Sequence, residues 1–564
     1  MYGSLPLGSF TSALGAVPAF FWDHPFFAHD GWTNTMNGLR ILLTAAGALM
    51  LIYELRAVRL GELGNVRLRK RIAIGMAVLG FGAYFDFFNP NVRYDRYYHR
   101  HEFFHYYLGS KYNRELEYTR LYECTAIAEV ELGRAAQVRK RELRDLSVNL
   151  IKPTTETFVF SDPAQCKSHF SPATWEAFKK DVDWFYHSSP GDYWLNMQKD
   201  HGYNPPPVWT MEGKLFSSLG VAGDTFFKQL ASIDIMLHLG MVLLVFWAFG
   251  WRVGAAFTVF WGCNAPANFY WTGGAFLRQD WLFFLVASSC FARKRKYGLA
   301  GAALTWSTAL RVFPVVLFVG PAILIAIDLI KRRRLSLPYK RFIGGAIVAG
   351  GLLVPASVVI AGPQSYYYFY KHIMTHKSTP LTNTMGLETM IVHNWDGRMR
   401  FTRDDNLDDP FEGWKNGRTE RIHEHRWLFR GIILFVGLWT VWALRRTKSL
   451  WISIGMGVPL LSSVLNLTCY YFSFFLVLIP LMKARRPLGP LALLASAGSQ
   501  IVYLRYYWVD DKFTAMSWLF YAFALLALFA YSRPFSLGRL RAWLAGEPEP
   551  RPAAPPPPKL AGAK

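Results

Sequence analysis

Residues 72–118 read IAIGMAVLGFGAYFDFFNPNVRYDRYYHRHEFFHYYLGSKYNRELEY. In this stretch an apolar segment is followed directly by a segment rich in charged and aromatic residues. The first part is an apolar segment that is long enough, with its flanks, to cross a bilayer. The second part mixes carboxylates, imidazoles, cations and many aromatic rings. Tyr and Trp anchor well at the headgroup level, but ionisable groups near hydrocarbon are costly and usually functional. The stretch therefore predicts a membrane span that leads into a chemically active loop.

The composition points to a membrane protein. The chain is 52% hydrophobic and 18% charged, and apolar runs of membrane-spanning length recur along it. A net charge of +23 would suggest nucleic acid in a soluble protein. Here the cations are concentrated in short loops between apolar segments, where they set membrane orientation instead. These features predict an all-α polytopic membrane protein that binds membrane lipids and no nucleic acid.

The cationic loops define the topology. They lie at residues 56–71, 293–296, 331–334, 445–448 and 483–486, and the positive-inside rule places all of them in the cytoplasm. We expect about 12–13 transmembrane helices in residues 37–532, with a large helical first outer loop at 89–225 and a second outer loop at 362–426. The apolar stretch 297–330 has cations at both ends, so it must be two short helices that turn near 311–314 or Pro321.

The ends of the chain differ from this central part. Residues 1–36 are aromatic and broken by prolines, which predicts an interfacial segment. Residues 533–564 are basic and then rich in proline, which predicts a disordered cytoplasmic tail. Cys124 and Cys166 both fall in the first outer loop, where an oxidising compartment would permit a disulfide. No zinc-type spacing occurs, and we expect no metal or other cofactor.

Three carboxylates follow the span at 72–88 and are candidates for a general base. Asp95 and Glu102 lead, and Asp86 is third. Glu102 and His105 have helical spacing, which would put acid and imidazole on one helix face. The alternatives are that each carboxylate pairs with a neighbouring arginine, or that the whole stretch is an interfacial aromatic belt.

Two arginines are candidates for binding an anion. Arg311 lies at the turn of an apolar hairpin with no acid close in sequence, and such a residue is costly without an anionic partner. Arg278 lies at a helix entrance beside Gln279 and Asp280. The alternative for Arg278 is an ion pair with Asp280, or snorkelling to the interface.

The order of these motifs resembles a known family. An outer acid after an early span, GGAFLRQDW (273–281), ALRVFPVV (309–316), NTMGLETM (383–390) and LTCYYFSFFLVLIPL (467–481) together resemble the membrane glycosyltransferases of the GT-C fold. They are most similar to glycosyltransferase family 87, the bacterial enzymes that use polyprenol-phosphate-mannose. Arg311 with Pro314 stands where that family usually has a lysine and a proline. The additional span at 38–55 and the size of the first loop depart from the family pattern.

The resemblance implies an activity and a set of residues. It implies an enzyme of the bacterial inner membrane that transfers mannose, or another hexose or pentose, from a polyprenyl-phosphate donor to a lipid or glycan acceptor at the outer face. Asp95, Glu102 or Asp86 would be the catalytic base, and Arg311 and Arg278 would bind the donor phosphate. The expected substrate-binding residues are His101, His105, Lys111, Tyr112, Gln279, Asn383, Glu388 and Tyr471. For the segment around Asn383 the alternative is an ordinary helix cap.

Two other functional classes stay open. An O-antigen ligase or polymerase type of enzyme also acts on lipid-linked sugars at the outer face, but its long polar loop normally comes late in the chain. A transporter of lipid-linked sugars would show ionisable residues in several spans and an internal repeat. Apart from Arg311 and Asp328 we find few such residues, and we find no repeat.

Overall fold

The computed structural model describes residues 31–61, 65–88, 97–377, 380–407 and 409–532. This part of the chain is almost entirely helical, with two small antiparallel sheets of two strands each. The predicted tail at 533–564 and the catalytic candidate Asp95 lie outside the described residues. The first helix already begins at Gly31, so the domain boundary expected after residue 36 lies inside a helix.

The N-terminal half of the described chain contains the first span and the first outer loop. Its helices are α1 (Gly31–Leu60), α2 (Val66–Tyr84), α3 (Arg100–Lys111), α4 (Asn113–Leu116), α5 (Leu121–Glu129), α6 (Ala135–Arg139), α7 (Phe158–Ser161), α8 (Ala164–Lys167), α9 (Pro172–Ser188), α10 (Gly191–Met197) and α11 (Pro207–Ser217). Tighter 3₁₀ turns cover Asp86–Phe88 and Thr154–Glu156, and a wider π turn covers Val130–Arg134. Strands β1 (Glu142–Asp145) and β2 (Leu150–Pro153) pair antiparallel, with Glu142 opposite Pro153.

The C-terminal half contains most of the long apolar helices. Its helices are α12 (Asp224–Phe249), α13 (Trp251–Gly262), α14 (Phe269–Thr272), α15 (Asp280–Arg293), α16 (Tyr297–Leu310), α17 (Val319–Arg332), α18 (Leu337–Ala361), α19 (Ser365–Lys377), α20 (Leu387–Val392), α21 (Met399–Thr402), α22 (Glu412–Glu424), α23 (Arg426–Leu444), α24 (Leu450–Gly455), α25 (Val458–Val464), α26 (Leu488–Arg505) and α27 (Val509–Tyr531). The 3₁₀ segments are Phe313–Phe318 and Cys469–Lys483, and strands β3 (Thr384–Met385) and β4 (Leu467–Thr468) pair antiparallel.

Long apolar helices confirm the polytopic prediction in its coarse form. Six helices among the described residues are long and apolar enough to cross a membrane: Thr33–Leu60, Asp224–Phe249, Phe313–Arg332, Leu337–Ala361, Arg426–Leu444 and Val509–Tyr531. The protein is thus an all-α polytopic membrane protein. The predicted span at 72–88 falls on α2, which has 19 residues but is not one of these six. Other predicted spans fall on shorter helices such as α15 and α16, and the total of twelve or thirteen stays a prediction.

The apolar hairpin after residue 296 turns where the sequence predicts. Helix α16 ends at Leu310, and Arg311 leaves the helix in an extended conformation with φ −148° and ψ 118°. Pro314 lies in the first turn of the following 3₁₀ segment. It has no amide hydrogen to continue the ladder of α16, so the chain reverses here and Arg311 is left at the tip.

Some predicted elements have different bounds. The apolar run at 253–272 predicts one span, but α13 ends at Gly262, because the following CNAPAN segment contains Pro266, which cannot continue a helix. The polar stretch WVDDK (508–512) predicts an outer loop between two spans, but Asp510, Asp511 and Lys512 form the first turn of α27. Acidic side chains in a first helical turn complement the partial positive charge of the helix N-terminus.

The predicted first outer loop, of which residues 97–225 are described, is a folded domain that packs on the long apolar helices, and we call it the outer domain. A disulfide joins Cys124 on α5 to Cys166 on α8, as the sequence permits. Phe103 on α3 stacks against Phe227 on α12, with the ring centroids 4.4 Å apart. One continuous apolar core therefore runs from the outer domain into the membrane helices.

Glycines allow the closest helix contacts in the membrane part. At Gly262 on α13, an added Cβ would lie 1.7 Å from the carbonyl oxygen of Gly80 on α2. The two backbones touch because neither residue carries a side chain, as is common between membrane helices. This contact fixes the position of the end of α2, from which the chain leaves toward the outer domain.

Candidate functional site

A buried carboxylate holds the loop that carries Arg278. The chain reverses between α14 and α15, with Gly274 at φ +68° and so close to Tyr97 that an added Cβ would lie 2.5 Å from the Tyr97 carbonyl oxygen. Both oxygens of Asp234, on α12, accept the backbone N–H of Arg278 at 3.0 and 3.1 Å, and one of them also accepts the N–H of Gln279 at 3.2 Å. This carboxylate fixes the backbone from which the Arg278 side chain projects.

The Arg278 guanidinium contacts one face of α3. Its Nη1 lies 3.1 Å from Oε2 of Glu102 and donates a 2.8 Å hydrogen bond to the hydroxyl of Tyr106. Glu102 and Tyr106 are four residues apart, so the helix places them side by side. The Tyr470 ring lies 4.3 Å from the guanidinium carbon. Only 3% of the Arg278 side chain is exposed, against 15% of the Glu102 side chain, so the guanidinium is buried while the carboxylate stays partly exposed.

Arg311 lies nearby with fewer partners. Its Nη1 donates to the carbonyl oxygen of Leu310 at 2.8 Å, while its buried Nη2 has no hydrogen-bond partner. The Trp209 ring lies 5.4 Å from the guanidinium carbon. Among the described residues, no carboxylate oxygen forms an ion pair with Arg311 within 4 Å. Its electrostatic neighbours include Tyr471, Asp280 and Arg278.

Two further carboxylates border the arginines. Asp280 is buried, and one of its oxygens accepts the N–H of Trp281 at 2.6 Å while the other has no partner. Glu212 on α11 accepts the indole N–H of Trp306 at 2.6 Å. Burial, reinforced by the nearby Asp280, raises the pKa of Glu212 to about 8. Glu212 is therefore mostly protonated at neutral pH and does not neutralise the arginines.

The site thus combines four of the residues that the sequence analysis selected. Glu102 pairs with Arg278, and Arg311 and Tyr471 complete the same cluster, while Gln279 follows Arg278 in the loop before α15 and donates its backbone N–H to Asp234. We call it the outer arginine site. Two cationic side chains are buried close together, and one of them has an unused donor, so the arrangement can bind an anion.

The histidines on α3 take other partners. His105 Nδ1 lies 2.7 Å from the carbonyl oxygen of His101, and its Nε2 lies 2.7 Å from the hydroxyl of Tyr122. Burial lowers the pKa of His105 to about 4, so the ring is neutral at pH 7. His101 faces Asp200 at 3.5 Å. Glu102 and His105 therefore serve different contacts, although they are adjacent on the helix.

Lys111 and Tyr112 belong to the interior of the outer domain. Lys111 Nζ lies 2.8 Å from Oδ2 of Asp181, and the Tyr112 hydroxyl donates to the same oxygen at 2.7 Å. Asp181 is almost completely buried on α9, so both residues join α3 to α9. The structure does not bring them to the outer arginine site.

Asp86 also has a structural partner. Its carboxylate pairs with the guanidinium of Arg40 on α1, and both side chains are buried. The same arginine donates to the carbonyl oxygen of Ala83 at 2.5 Å. Asp86 therefore ties the end of α2 to α1, which matches the ion-pair alternative.

Asn383 and Glu388 lie at the second outer loop. The N–H of Cys469 donates to the backbone oxygen of Asn383 at 2.8 Å, beside the β3–β4 pair. Glu388 accepts the side-chain N–H of Asn466 at 3.1 Å and faces Arg418 at 3.6 Å. The residue that caps α20 is Gly386, so the side-chain cap considered for this segment does not form.

Within the part of the chain that the structure describes, two groups of side chains have the types and spacing to hold a metal ion: His101 with His105 and Asp200, and His393 with Asp510 and Asp511. In the first group both ring nitrogens of His105 already have protein partners. In the second group Asp511 faces both His393 at 3.3 Å and Arg398 at 3.5 Å. His105 in the first group is therefore satisfied by protein contacts, whereas in the second group one oxygen each of Asp510 and Asp511 has no hydrogen-bond partner.

Sequence reasoning missed several residues of the site. Asp234 had a usable signal, because an acid in an apolar helix is a functional candidate by default. Tyr106 and Trp209 had none, since aromatic residues are frequent throughout this chain. Glu212 looked like an ordinary acid of the outer loop, and only its burial against Trp306 distinguishes it.

No protein-family model, curated protein or solved structure matches the chain.

Proposed function

We propose that this membrane protein is a glycosyltransferase, which transfers a sugar from a polyprenyl-phosphate donor to a lipid or glycan acceptor at the outer face of the bacterial inner membrane. The observation that supports this most is the outer arginine site. It combines two buried guanidinium groups with a carboxylate at the ends of apolar helices. A donor whose lipid tail stays in the bilayer presents its phosphate at this level.

The arginines suit the leaving group of such a reaction. When the bond from the sugar to the phosphate oxygen breaks, its electron pair stays on the phosphate. Preorganised cations in a water-poor site stabilise that charge. Arg311 has a free donor at Nη2, and Arg278 is held at its backbone by Asp234. In this proposal both guanidinium groups bind the phosphate, and Arg311 contributes the unused hydrogen bond.

Among the described residues, Glu102 is the carboxylate best placed to act as general base. The acceptor hydroxyl would lose its proton to Glu102 as its oxygen attacks the anomeric carbon and the phosphate leaves. Glu102 is partly exposed, and it contacts the arginine that would bind the phosphate. Asp95 stays an alternative, since it lies outside the described residues. The pairing of Asp86 with Arg40 favours a structural role for that acid.

The aromatic residues give the site a surface for a sugar ring. Tyr470 and Tyr471 are adjacent, and Tyr471 packs against Phe313 with the centroids 5.0 Å apart. Aromatic faces stack on the C–H groups of sugars, and tyrosine hydroxyls bond to sugar oxygens. Tyr471 therefore fits the substrate-binding role that the resemblance implies.

The transporter alternative has one new observation in its favour. Helix α12 carries both Asp234 and His238 inside an apolar span. However, Asp234 is occupied by backbone N–H groups, and His238 is enclosed by the rings of Tyr84 and Trp261 at 4.9 and 4.6 Å. These contacts support a packing role for His238 better than a polar path.

The test is an assay of the purified full chain in lipid nanodiscs, with radiolabelled polyprenyl-phosphate sugars and membrane-lipid extract as acceptor. Replacing the true base by its amide should lower turnover about a hundredfold or more while donor binding changes little. We expect this for Glu102→Gln or Asp95→Asn. Glu142→Gln, which changes a surface acid of the outer domain paired with Lys199, is the matched control.

Two results would count against the proposal. One is the absence of any sugar transfer from mannose, glucose or arabinose donors by protein that is folded and monodisperse. The other is near-normal turnover in Glu102→Gln, Asp95→Asn and Asp86→Asn, tested singly. The aromatic-belt alternative would then account for residues 86–102.

A further inference from the structure

A polar cavity of about 240 Å³ lies in the second outer loop, and neither Arg278 nor Arg311 lines it. Its walls are one face of α22, the turn around Asn394 and the first turn of α27. Ligand sites for drug-sized molecules are about 300–1,000 Å³, so this space suits a single small polar group. We call it the α22 cavity.

Two glycines keep the wall of this cavity open. Gly413 and Gly417 lie one helical turn apart on α22 and both line the cavity. Glycine within a helix is destabilising relative to alanine because it loses more backbone freedom on folding. At Gly417 an added Cβ would meet no atom within 4 Å, so neighbouring packing does not require glycine there. The absent side chain instead leaves space in the cavity.

The cavity offers hydrogen-bond donors, acceptors and an aromatic ring. Arg421 and Glu424 lie on its wall together with the indole of Trp414. Asp510 lies at its base and is 5% exposed. One Asp510 oxygen accepts the N–H of Met399 at 2.9 Å, and the other has no hydrogen-bond partner. This second oxygen has almost no accessible surface, so the acceptors that a ligand in the cavity can reach are the carboxylates of Glu420 and Glu424.

This combination selects a class of ligand. Arg418 and Arg421 on the wall face the carboxyl groups of Glu420, Glu424 and Asp510, so the lining has no excess of positive charge and does not favour an anion. Hydroxyl groups both donate and accept, and they match such a wall. We propose that the α22 cavity binds one neutral sugar residue of the glycan acceptor. The binding of a sugar stands by itself, whereas its role as acceptor rests on the proposed transferase function.

Aromatic contacts connect the cavity with the outer arginine site. Phe513, one residue beyond the first turn of α27, packs near Trp271 with the centroids 6.5 Å apart. Trp271 in turn lies 6.4 Å from Tyr470, whose ring covers Arg278. A glycan held in the α22 cavity is therefore on the same side of the molecule as the proposed reaction.

The test measures sugar binding directly. Full-length protein in phosphatidylcholine nanodiscs, which carry no sugar headgroups, is examined by saturation-transfer NMR with methyl α-mannopyranoside, methyl β-galactopyranoside and methyl α-arabinofuranoside. Gly417→Leu fills the cavity, and Arg421→Met removes wall donors from a partly exposed position. Gly431→Leu is the matched control, because Gly431 is also a helical glycine with nothing within 4 Å but lies on α23, outside the cavity.

We expect at least one glycoside to bind, with affinity at least tenfold weaker in Gly417→Leu and Arg421→Met and unchanged in Gly431→Leu. No binding of any glycoside to folded protein overturns the proposal, as does binding that survives both cavity variants. Binding of Mn²⁺ or Zn²⁺ that requires His393 and Asp510, without glycoside binding, would replace the sugar by a metal ion. Glycoside binding in a protein without transferase activity would refute the acceptor role alone.

Discussion

Replacing Arg311 by glutamine tests whether this side chain binds the donor or stabilises the fold. In the described structure the guanidinium is buried, donates to the Leu310 carbonyl oxygen and leaves Nη2 unsatisfied. A buried charge without an ion-pair partner is unfavourable for folding. Arg311→Gln should therefore leave the thermal unfolding midpoint unchanged or raise it slightly.

By contrast, Arg311→Gln should strongly weaken binding of the polyprenyl-phosphate donor. A hydrogen bond to a charged group contributes about 1.5–3 kcal/mol. Loss of the bond from Nη2 together with the positive charge corresponds to the upper end of that range, about 3 kcal/mol, which weakens donor binding by about a hundredfold. Arg311→Lys keeps the charge but loses the planar fork, so it should lose about tenfold.

Arg40→Gln is the matched comparison. Arg40 is as buried as Arg311, but it forms an ion pair with Asp86. Removing it leaves a buried carboxylate without its cation, which costs about 3–5 kcal/mol of stability. We expect a clearly lower unfolding midpoint and, in the folded fraction, normal donor affinity.

The assay combines equilibrium binding of a fluorescent polyprenyl-phosphate sugar with thermal unfolding of the same nanodisc preparations. Wild-type donor affinity in Arg311→Gln, together with a midpoint lowered as in Arg40→Gln, would refute the reasoning. Arg311 would then stabilise the fold through its buried acidic neighbour Asp280.

Three further predictions follow from the contacts around the site. Asp234→Ala should weaken donor binding by about tenfold, because the backbone N–H of Arg278 loses its acceptor. Asp234→Asn keeps one acceptor oxygen and should weaken donor binding less, and equilibrium donor binding measures both variants. Donor affinity should fall as pH rises above about 8, because Glu212 then ionises and its carboxylate competes with the phosphate; Glu212→Gln should abolish that dependence in a pH titration of binding. Reducing the Cys124–Cys166 disulfide should destabilise the outer domain by about 2–5 kcal/mol, measured as a lower unfolding midpoint in the presence of a reductant.

The elements that local sequence patterns specify were predictable. The hairpin turn at Arg311 followed from cations at both ends of one apolar stretch and from Pro314, and the structure has it there. The possible disulfide followed from two cysteines in one outer loop. These inferences need only short-range rules of helix breaking and membrane sidedness.

Long-range partners could not be predicted in the same way. Asp86 and Glu102 look equivalent in sequence, but Arg40 pairs with the first and Arg278 with the second. Lys111 resembled a substrate-binding cation until Asp181, 70 positions later, provided its partner. Which acid faces which cation depends on helix packing, and no local periodicity encodes it.

The attachment of Arg278 to Asp234 has a mechanical consequence. Asp234 belongs to α12, a helix of membrane-spanning length, while Glu102 belongs to the domain that is predicted to lie outside the membrane. A helix accommodates a thinner bilayer by tilting, and its outer end then moves relative to the headgroups. Arg278 would move with α12, since Asp234 holds its backbone, and α3 would follow, since Phe103 stacks on Phe227 of the same helix. A change in lipid chain length should therefore shift the height of the whole site relative to the headgroups, where the phosphate of the proposed donor would lie.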